Sequence, residues 1–190
     1  PATGGSLDII QTLNSLTDTY VFSPNLINQA RFGFSRLRVT SVPEEPFTAQ
    51  QFGIANPLAA EFPGLPTLTV TGLFTLGSSP LADQSSRINA YTFQDTLSVV
   101  TGRHRLKLGG EYRRSQVNFY FNAFSRGQLI FPTFANFLLG QSISIIGSGV
   151  YDRAFRVNDL SGFIQDHWKV TDRLTLNLGL RFDFFGLPKV

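Results

Sequence analysis

The sequence predicts an all-β protein, an antiparallel up-and-down sheet of about six long strands that are arranged as three hairpins. Two observations indicate this fold: apolar and polar side chains alternate over long stretches, and short turn-prone segments join these stretches in pairs. A third observation is that the connections between the pairs are longer than is usual in a compact soluble domain. Together they predict a sheet with one apolar and one polar face.

The clearest strand covers residues 174–184. Every even position from Leu174 to Phe184 is large and apolar, and every odd position is small, polar or charged. Strict alternation over this length is typical of a strand with two unlike faces. A membrane-spanning strand needs about 9 to 11 residues, whereas strands of globular proteins average about five or six. The length therefore favours a strand that crosses a membrane.

The same pattern predicts the other strands. Residues 158–170 form a strand-like partner for the last strand, residues 91–113 form a second hairpin, and residues 26–35 follow an earlier strand that ends in Thr-Tyr-Val-Phe. Turn-forming residues lie between the two strands of each pair. The three short turns are predicted near residues 23–25, 101–104 and 171–173.

The connections between hairpins are of another kind. Residues 41–88 and 123–157 are long and irregular, with many Pro, Gly, Ser and Phe residues. Short turns at one end of a sheet and long loops at the other are the layout of outer-membrane barrels. We therefore expect 41–88 and 123–157 to be extracellular loops of a transmembrane β-barrel.

The composition excludes several classes of protein. The chain has 190 residues, of which 15% are charged and 42% hydrophobic, with a net charge of +3. Soluble domains carry roughly 25% charge, and disordered chains combine low hydrophobicity with high net charge. No window reads as about 20 apolar residues, which argues against a membrane-spanning helix. There are no cysteines, so disulfides, thiol catalysts and thiolate metal sites are excluded.

Alternation alone does not say which side of the sheet is wet, because a soluble sandwich alternates as well. Strand length, loop asymmetry and aromatic residues beside the turns favour lipid. The candidate interfacial aromatics are Tyr20, Phe22 and Trp168. Asp95 and Asp166 share the parity of apolar neighbours and resist this interpretation, unless a β-bulge resets the alternation.

The polar face of such a barrel lines its lumen. Charged side chains on that face are expected to pair with one another or to contact a passing anionic substrate. Six strands are too few for a barrel, since the smallest common ones have about eight. The sheet is therefore expected to continue in further sequence or to close by association with other chains. The candidate lumen-facing residues are Arg31, Lys107, Glu111, Arg113, Arg181 and Asp183.

Residues 162–183, which read GFIQDHWKVTDRLTLNLGLRFD, closely resemble the barrel hairpin of TonB-dependent outer-membrane receptors. Phe182 stands where that family usually has Tyr. Three further stretches are similar to the Oar-like branch of the family, and the resemblance covers almost the whole chain from about residue 10. These stretches are FSPNLIN at 22–28, GRHRLKLGGEYR at 102–113 and FANFLLG at 134–140.

The resemblance implies a barrel of about 22 strands, filled by a plug. It also implies uptake driven by the inner-membrane TonB complex, with ligand capture by the outer loops and the plug apex. Residues 1–190 are therefore expected to be part of the barrel, with the plug and the N-terminal domain absent. The expected partners are outer-membrane lipid, the rest of its own barrel and plug, the TonB complex through that plug, and an unknown substrate.

No catalytic, metal or cofactor site is predicted. His104 and His167 have no second histidine at ligand spacing, and neither a Gly-x-Ser-x-Gly elbow nor a phosphate-binding glycine loop occurs. Each histidine is expected to be a polar residue of a turn or of the lumen rim. Arg105 and Lys107 share one face of a strand, as a barrel requires, so no nucleic-acid partner is expected.

The predicted function is that of a barrel-wall segment in a TonB-dependent transporter of the bacterial cell outer membrane. Such a protein takes up a large or scarce substrate by energy-coupled active transport and is not an enzyme. One alternative is a passive porin-like or adhesin barrel. Another is a soluble secreted β-sandwich interaction module, which would pack residues 91–113 and 158–184 face to face in two sheets.

Overall fold

The computed structural model describes residues 4–44, 47–77, 79–81, 83–149 and 152–189. These residues form ten strands, a 3-10 helix (Ala49–Phe52) and a short α-helix, α1 (Phe134–Leu138). No helix among them combines the length and the apolarity that crossing a bilayer requires. The strands are β1 (Gly5–Ser23), β2 (Leu26–Pro43), β3 (Thr67–Val70), β4 (Phe74–Leu76), β5 (Gln84–Thr101), β6 (His104–Phe121), β7 (Gln128–Phe131), β8 (Ile143–Ile145), β9 (Asp152–Lys169) and β10 (Thr175–Phe185).

Six long strands form one antiparallel sheet in the order β1-β2-β5-β6-β9-β10, which confirms the predicted fold class. The order follows the chain, so each hairpin lies beside the next. β6 is the neighbour of β9, and the segments at 91–113 and 158–184 therefore belong to one sheet. The face-to-face packing that a soluble sandwich requires is not the arrangement found.

Tight turns close the three hairpins of this sheet. Pro24 and Asn25 join β1 to β2, and the Asn25 backbone N–H donates to Ser23 Oγ over 3.2 Å. Gly102 joins β5 to β6 with a φ of 57°, a left-handed conformation that glycine adopts without steric cost. Residues 170–174 join β9 to β10.

The strands of this sheet are longer than the alternation predicts. β1 contains 19 residues, and β2, β5, β6 and β9 contain 18 each. β9 begins at Asp152 and β5 at Gln84, inside segments that were expected to be loops. Pairing with a neighbouring strand satisfies the backbone even where the side chains do not alternate, so the pattern underestimates strand length.

The two long connections are also more ordered than the expected irregular loops. They share a four-stranded sheet in the order β4-β3-β7-β8. β3 of the first connection pairs in parallel with β7 of the second, from Thr67 opposite Gln128 to Val70 opposite Phe131. Backbone groups of a long buried connection need partners, and the second connection supplies them for the first.

The contacts of the chain divide it into two compact units. The loop unit comprises Pro1–Ile10, Arg38–Ser86 and Asn118–Arg153, and the sheet unit comprises Gln11–Leu37, Arg87–Val117 and Ala154–Val190. Prolines aside, five of the six buried apolar side chains among the described residues belong to the loop unit, and Ala90 belongs to the sheet unit. The five are Ala49, Phe62, Leu65, Val70 and Phe131.

Candidate functional site

The sheet unit presents an apolar face that is left open. In the β9–β10 pair, Leu180 lies opposite Ile164 and Phe184 lies opposite Leu160. Their exposed fractions are 73% for Leu180, 51% for Ile164 and 56% for Phe184. Burying one such side chain stabilises a protein by about 1.5 to 3 kcal/mol. A face of this kind is stable only where an apolar medium covers it.

A row of aromatic rings continues this apolar face across β2, β5 and β6. Because side chains alternate along a strand, rings in contact across strands belong to one face. The ring centroids are 5.2 Å apart for Phe34 and Tyr91, 4.9 Å for Phe32 and Phe93, and 6.4 Å for Phe93 and Tyr112.

Asp166 lies on the apolar face beside a short turn, and His104 is its partner. The Nδ1 atom of His104 is 2.6 Å from Asp166 Oδ2, while the His104 ring stacks on Trp168 with centroids 5.2 Å apart. Asp166 Oδ1 is buried and has no hydrogen-bond partner among the described residues. His104 is therefore not a lumen-rim residue, since its contacts with Asp166 and Trp168 place it on the apolar face.

Asp95 is also engaged on the apolar face. The Nδ2 atom of Asn28 donates to Asp95 Oδ1 over 2.9 Å and approaches the Thr96 carbonyl oxygen at 3.4 Å. Charged side chains on a lipid face are costly unless they are satisfied or lie near the interface. The amide of Asn28, three residues into β2, meets this requirement without a β-bulge.

The predicted interfacial aromatics all lie beside short turns. Tyr20 and Phe22, near the end of β1, pack edge to face with ring centroids 4.6 Å apart. Trp168 is the last residue but one of β9. An aromatic belt at a membrane–water interface has this position.

The opposite face of the sheet unit is polar and charged. Arg31 Nε donates to Thr17 Oγ1 over 3.3 Å, and Gln94 Nε2 donates to Glu111 Oε2. Arg181 forms a bidentate ion pair with Asp183, in which Nη2 lies 2.7 Å from Oδ1 and Nε 2.9 Å from Oδ2. Most of these charges thus have partners within the face.

Five of the six predicted lumen residues surround two open hollows on this face. Lys107 and Arg181 line one of about 490 Å³, and Glu111, Arg113, Arg181 and Asp183 line the other, of about 340 Å³. Arg31 lies apart from them on β2. Lys107 and Arg113 form no hydrogen bond or ion pair within the part of the chain that the structure describes.

His167 lies on the polar face as well. Its Nδ1 atom is 2.5 Å from Asn177 Oδ1, and its Nε2 atom is 3.1 Å from Gln165 Nε2. Asn177 is the residue directly opposite in β10. The ring therefore belongs to a cross-strand polar network.

The loop unit contains a cavity of about 330 Å³ that the sequence did not predict. Asp83 and Arg126 form an ion pair at its wall, with side chains only 15% and 13% exposed. Arg126 Nε also donates to the Pro63 carbonyl oxygen over 2.8 Å. A carboxylate and a guanidinium fixed in this way can orient a polar ligand. The remaining polar lining comes from Thr40, Ser41, Glu61, Gln84, Ser85 and Tyr120.

No local signal marks this cavity in the sequence. Asp83 directly precedes β5 and Arg126 follows β6, so the pairing of β5 with β6 brings the two connections together here. Asn122, which is 1% exposed, places Nδ2 3.5 Å from Asp83 Oδ2 and supports the carboxylate from a third direction. In the sequence, Asn122 has no distinguishing feature except that it directly follows the segment that forms β6.

Comparison with known families supports the membrane interpretation of the two faces. A family model described as "Outer membrane beta barrel domain" matches residues 2–190. The comparisons with curated proteins and with solved structures found no match. The open apolar face, the charged opposite face and the long up-and-down strands are the features that a barrel wall requires. The chain is therefore a protein of the bacterial outer membrane, and it belongs to the outer membrane β-barrel domain family.

Proposed function

We propose that this barrel-wall chain is part of a TonB-dependent outer-membrane transporter, with the Oar-like branch as its nearest type. It takes up a large or scarce substrate by energy-coupled active transport. Support comes from the hairpin at residues 162–183, whose sequence resembles the receptors of that family and whose strands pair over the full length of β10. The proposal assigns the chain no enzymatic activity.

The observation that carries the proposal is the charged face opposite the open apolar face. Lipid takes the apolar face, so the polar face lines the interior of the barrel. Arg181 and Asp183 largely neutralise each other there, whereas Lys107 and Arg113 remain available to a plug or to an anionic substrate. The six residues assigned to the lumen are Arg31, Lys107, Glu111, Arg113, Arg181 and Asp183.

A wide barrel fits the open sheet. β1 and β10 are its edges, and each has one neighbour among the described strands. Unpaired edges are not tolerated within a bilayer, so both edges must pair with other strands, either of the same barrel chain or of an associated copy. The resemblance implies about 22 strands, a width at which barrels of the outer membrane have a plugged lumen, and the TonB complex would act through that plug.

The loop unit supports substrate capture. Its four-stranded sheet and buried side chains keep the cavity beside Asp83 and Arg126 preformed. A preformed polar cavity binds with a smaller loss of conformational entropy than a flexible loop does. We propose that it holds a polar part of the substrate before transport.

The orientation of the sheet is tested by thiol accessibility, for which a chain without cysteine is suited. Asn177→Cys changes the polar face and Leu178→Cys, one residue on, changes the apolar face. In the full protein, reconstituted in lipid vesicles with other cysteines removed, a charged water-soluble thiol reagent should label the first site. The second site should react only with a lipid-soluble reagent. Reversed labelling would contradict the lumen assignment.

The transport class is tested by conductance in planar bilayers. A plugged, energy-coupled transporter should show little current as the full protein and a large current once its plug is deleted. It should also bind the periplasmic domain of TonB. A large, steady current through the intact protein would instead identify the passive porin-like barrel.

A further inference from the structure

We propose that Arg36, Arg87 and Arg114, together called the arginine patch, bind the phosphate groups of lipids in the outer leaflet of the membrane. The proposal rests on the barrel wall and its apolar face. It is independent of the transport class, since a passive barrel would need the same lipid contact. The argument uses the face on which the patch lies, its depth and its charge.

Contacts on both sides fix Arg114 to the apolar face. Tyr112 packs against Phe93 with ring centroids 6.4 Å apart, and the Nδ2 atom of Asn89 lies 3.5 Å from Gln116 Oε1. Side chains two residues apart in a strand point to the same side. Arg114 lies between Tyr112 and Gln116, and it therefore shares their face.

Arg36 and Arg87 lie on the same face by the same rule. Arg36 is two residues beyond Phe34, whose ring packs against Tyr91 with centroids 5.2 Å apart. Arg87 is two residues before Asn89 in β5. The patch thus spans three neighbouring strands, β2, β5 and β6, at the border of the aromatic row.

The depth of the patch places it at the level of lipid headgroups. Phe34 and Tyr112 are the ninth residues of β2 and β6 when counted from the short turns, and Arg36 and Arg114 are the eleventh. A strand crosses the hydrocarbon core in about 9 to 11 residues. Arg87 is the fifteenth residue of β5 counted in the same way and lies further from the short turns. The arginines therefore lie where the strands leave the hydrocarbon and just beyond it, on the side that leads into the long loops, and there a charge is tolerated.

The charge of the patch is not neutralised by the protein. All three side chains are exposed, and among the described residues none of their guanidinium groups forms a hydrogen bond or an ion pair. The carboxylates of Asp95 and Asp166 on this face already have partners near the short turns. The polar face differs, because its arginines are interspersed with carboxylates.

These features select the occupant. Guanidinium groups match phosphate oxygens in a bidentate geometry. The apolar side chains below the patch are covered by acyl chains, so the phosphate must belong to a molecule that also carries acyl chains. A phosphate-bearing lipid of the outer leaflet satisfies both conditions, whereas free phosphate satisfies only the first.

The test measures binding of lipid A, the phosphorylated lipid anchor of lipopolysaccharide, to the full protein in detergent. Arg36→Gln/Arg87→Gln/Arg114→Gln should weaken binding by about a hundredfold, because each arginine near a charged lipid surface contributes about fivefold. The control is Arg31→Gln/Arg105→Gln/Arg113→Gln, which removes the same charge from the polar face and should leave binding within about twofold. Lipid A without phosphates should bind the unchanged protein about as weakly as the patch variant binds lipid A.

Three results would overturn the proposal. They are equal binding of lipid A with and without phosphates, displacement of lipid A by millimolar inorganic phosphate, and an equal loss in the control variant. Folding of each variant is checked by the shift in gel mobility that boiling produces in folded barrels. If the triple variant does not fold, the three single variants are measured instead. Each should bind lipid A about fivefold more weakly than the unchanged protein. Unchanged binding in all three would contradict the proposal.

Discussion

The loop unit and the sheet unit are both built from β-strands, but they bury their apolar side chains in opposite ways. In the loop unit, Val70 is 1% and Phe131 is 5% exposed, so the side chains pack within the protein. In the sheet unit, Leu180 is 73% and Phe182 is 65% exposed. The loop unit has the core of a water-soluble domain, whereas the sheet unit depends on lipid for the same gain in free energy.

The difference shows where each region obtains its stability. Short strands of three or four residues suffice in the loop unit because they surround a core. The sheet unit needs long strands, since its backbone must be paired throughout the hydrocarbon. Substitutions should therefore act on one region through internal packing and on the other through contact with the membrane.

The largest effect is expected from Phe131→Ala in the loop unit. Phe131 packs against Phe137 with ring centroids 5.2 Å apart, and its truncation leaves a cavity that lowers the free energy of unfolding by about 3 to 5 kcal/mol. Hydrogen exchange in β3 and β7 of the full protein measures the loss. Phe134→Ala is the control, because Phe134 is 47% exposed and should lose about 0.5 kcal/mol or less. If Phe131→Ala lowered the hydrogen-exchange protection of β9 and β10 as much as that of β3 and β7, the two units would not obtain their stability separately.

A somewhat smaller effect is expected from Leu180→Arg in the sheet unit. Leu180 is near the middle of β10, and a charge facing lipid at this depth lowers the free energy of unfolding by about 2 to 4 kcal/mol. The measurement is urea unfolding of the full protein from phospholipid vesicles. Asn177→Arg places the same charge on the opposite face and should change stability little. A larger loss for Asn177→Arg would mean that the faces are reversed.

The smallest effect is expected from His104→Leu, which removes the partner of Asp166 on the apolar face. A carboxylate that loses its hydrogen-bond partner costs about 1 to 3 kcal/mol in the free energy of unfolding. His104→Leu/Asp166→Leu should recover most of that loss, because the apolar face then contains neither polar group. Urea unfolding from phospholipid vesicles measures the stability of both variants. A double variant that is less stable than His104→Leu alone would contradict this explanation of the pair.

The sheet unit could be predicted from the sequence to a large extent. The alternation of residues 174–184 identifies the apolar face, and β10 places its even residues opposite the even residues of β9. Alternation is a property of adjacent residues, so a single sequence displays it directly. Strand ends were less predictable: the first six residues of β9 were expected to be loop, because a neighbouring strand extends the pairing beyond the pattern.

The loop unit was not predictable in the same way. Thr67–Val70 and Gln128–Phe131 pair across two long connections, and neither four-residue segment is long enough to display a period. The cavity beside Asp83 and Arg126 was missed as well, because its lining comes from the ends of β2, β5 and β6 and from both connections. Contacts between distant short segments depend on how the whole chain closes, and no window of sequence contains that information.

By itself, the sequence determined a two-faced sheet of hairpins with few charges and a resemblance to outer-membrane receptors. Tertiary structure decided which distant residues meet: Asn28 with Asp95, His104 with Asp166, and Asp83 with Arg126. The same structure brings Arg36, Arg87 and Arg114 to one border of the apolar face. The reason is physical: side-chain alternation is set within each strand, whereas the partner of a charge is set by the register between strands.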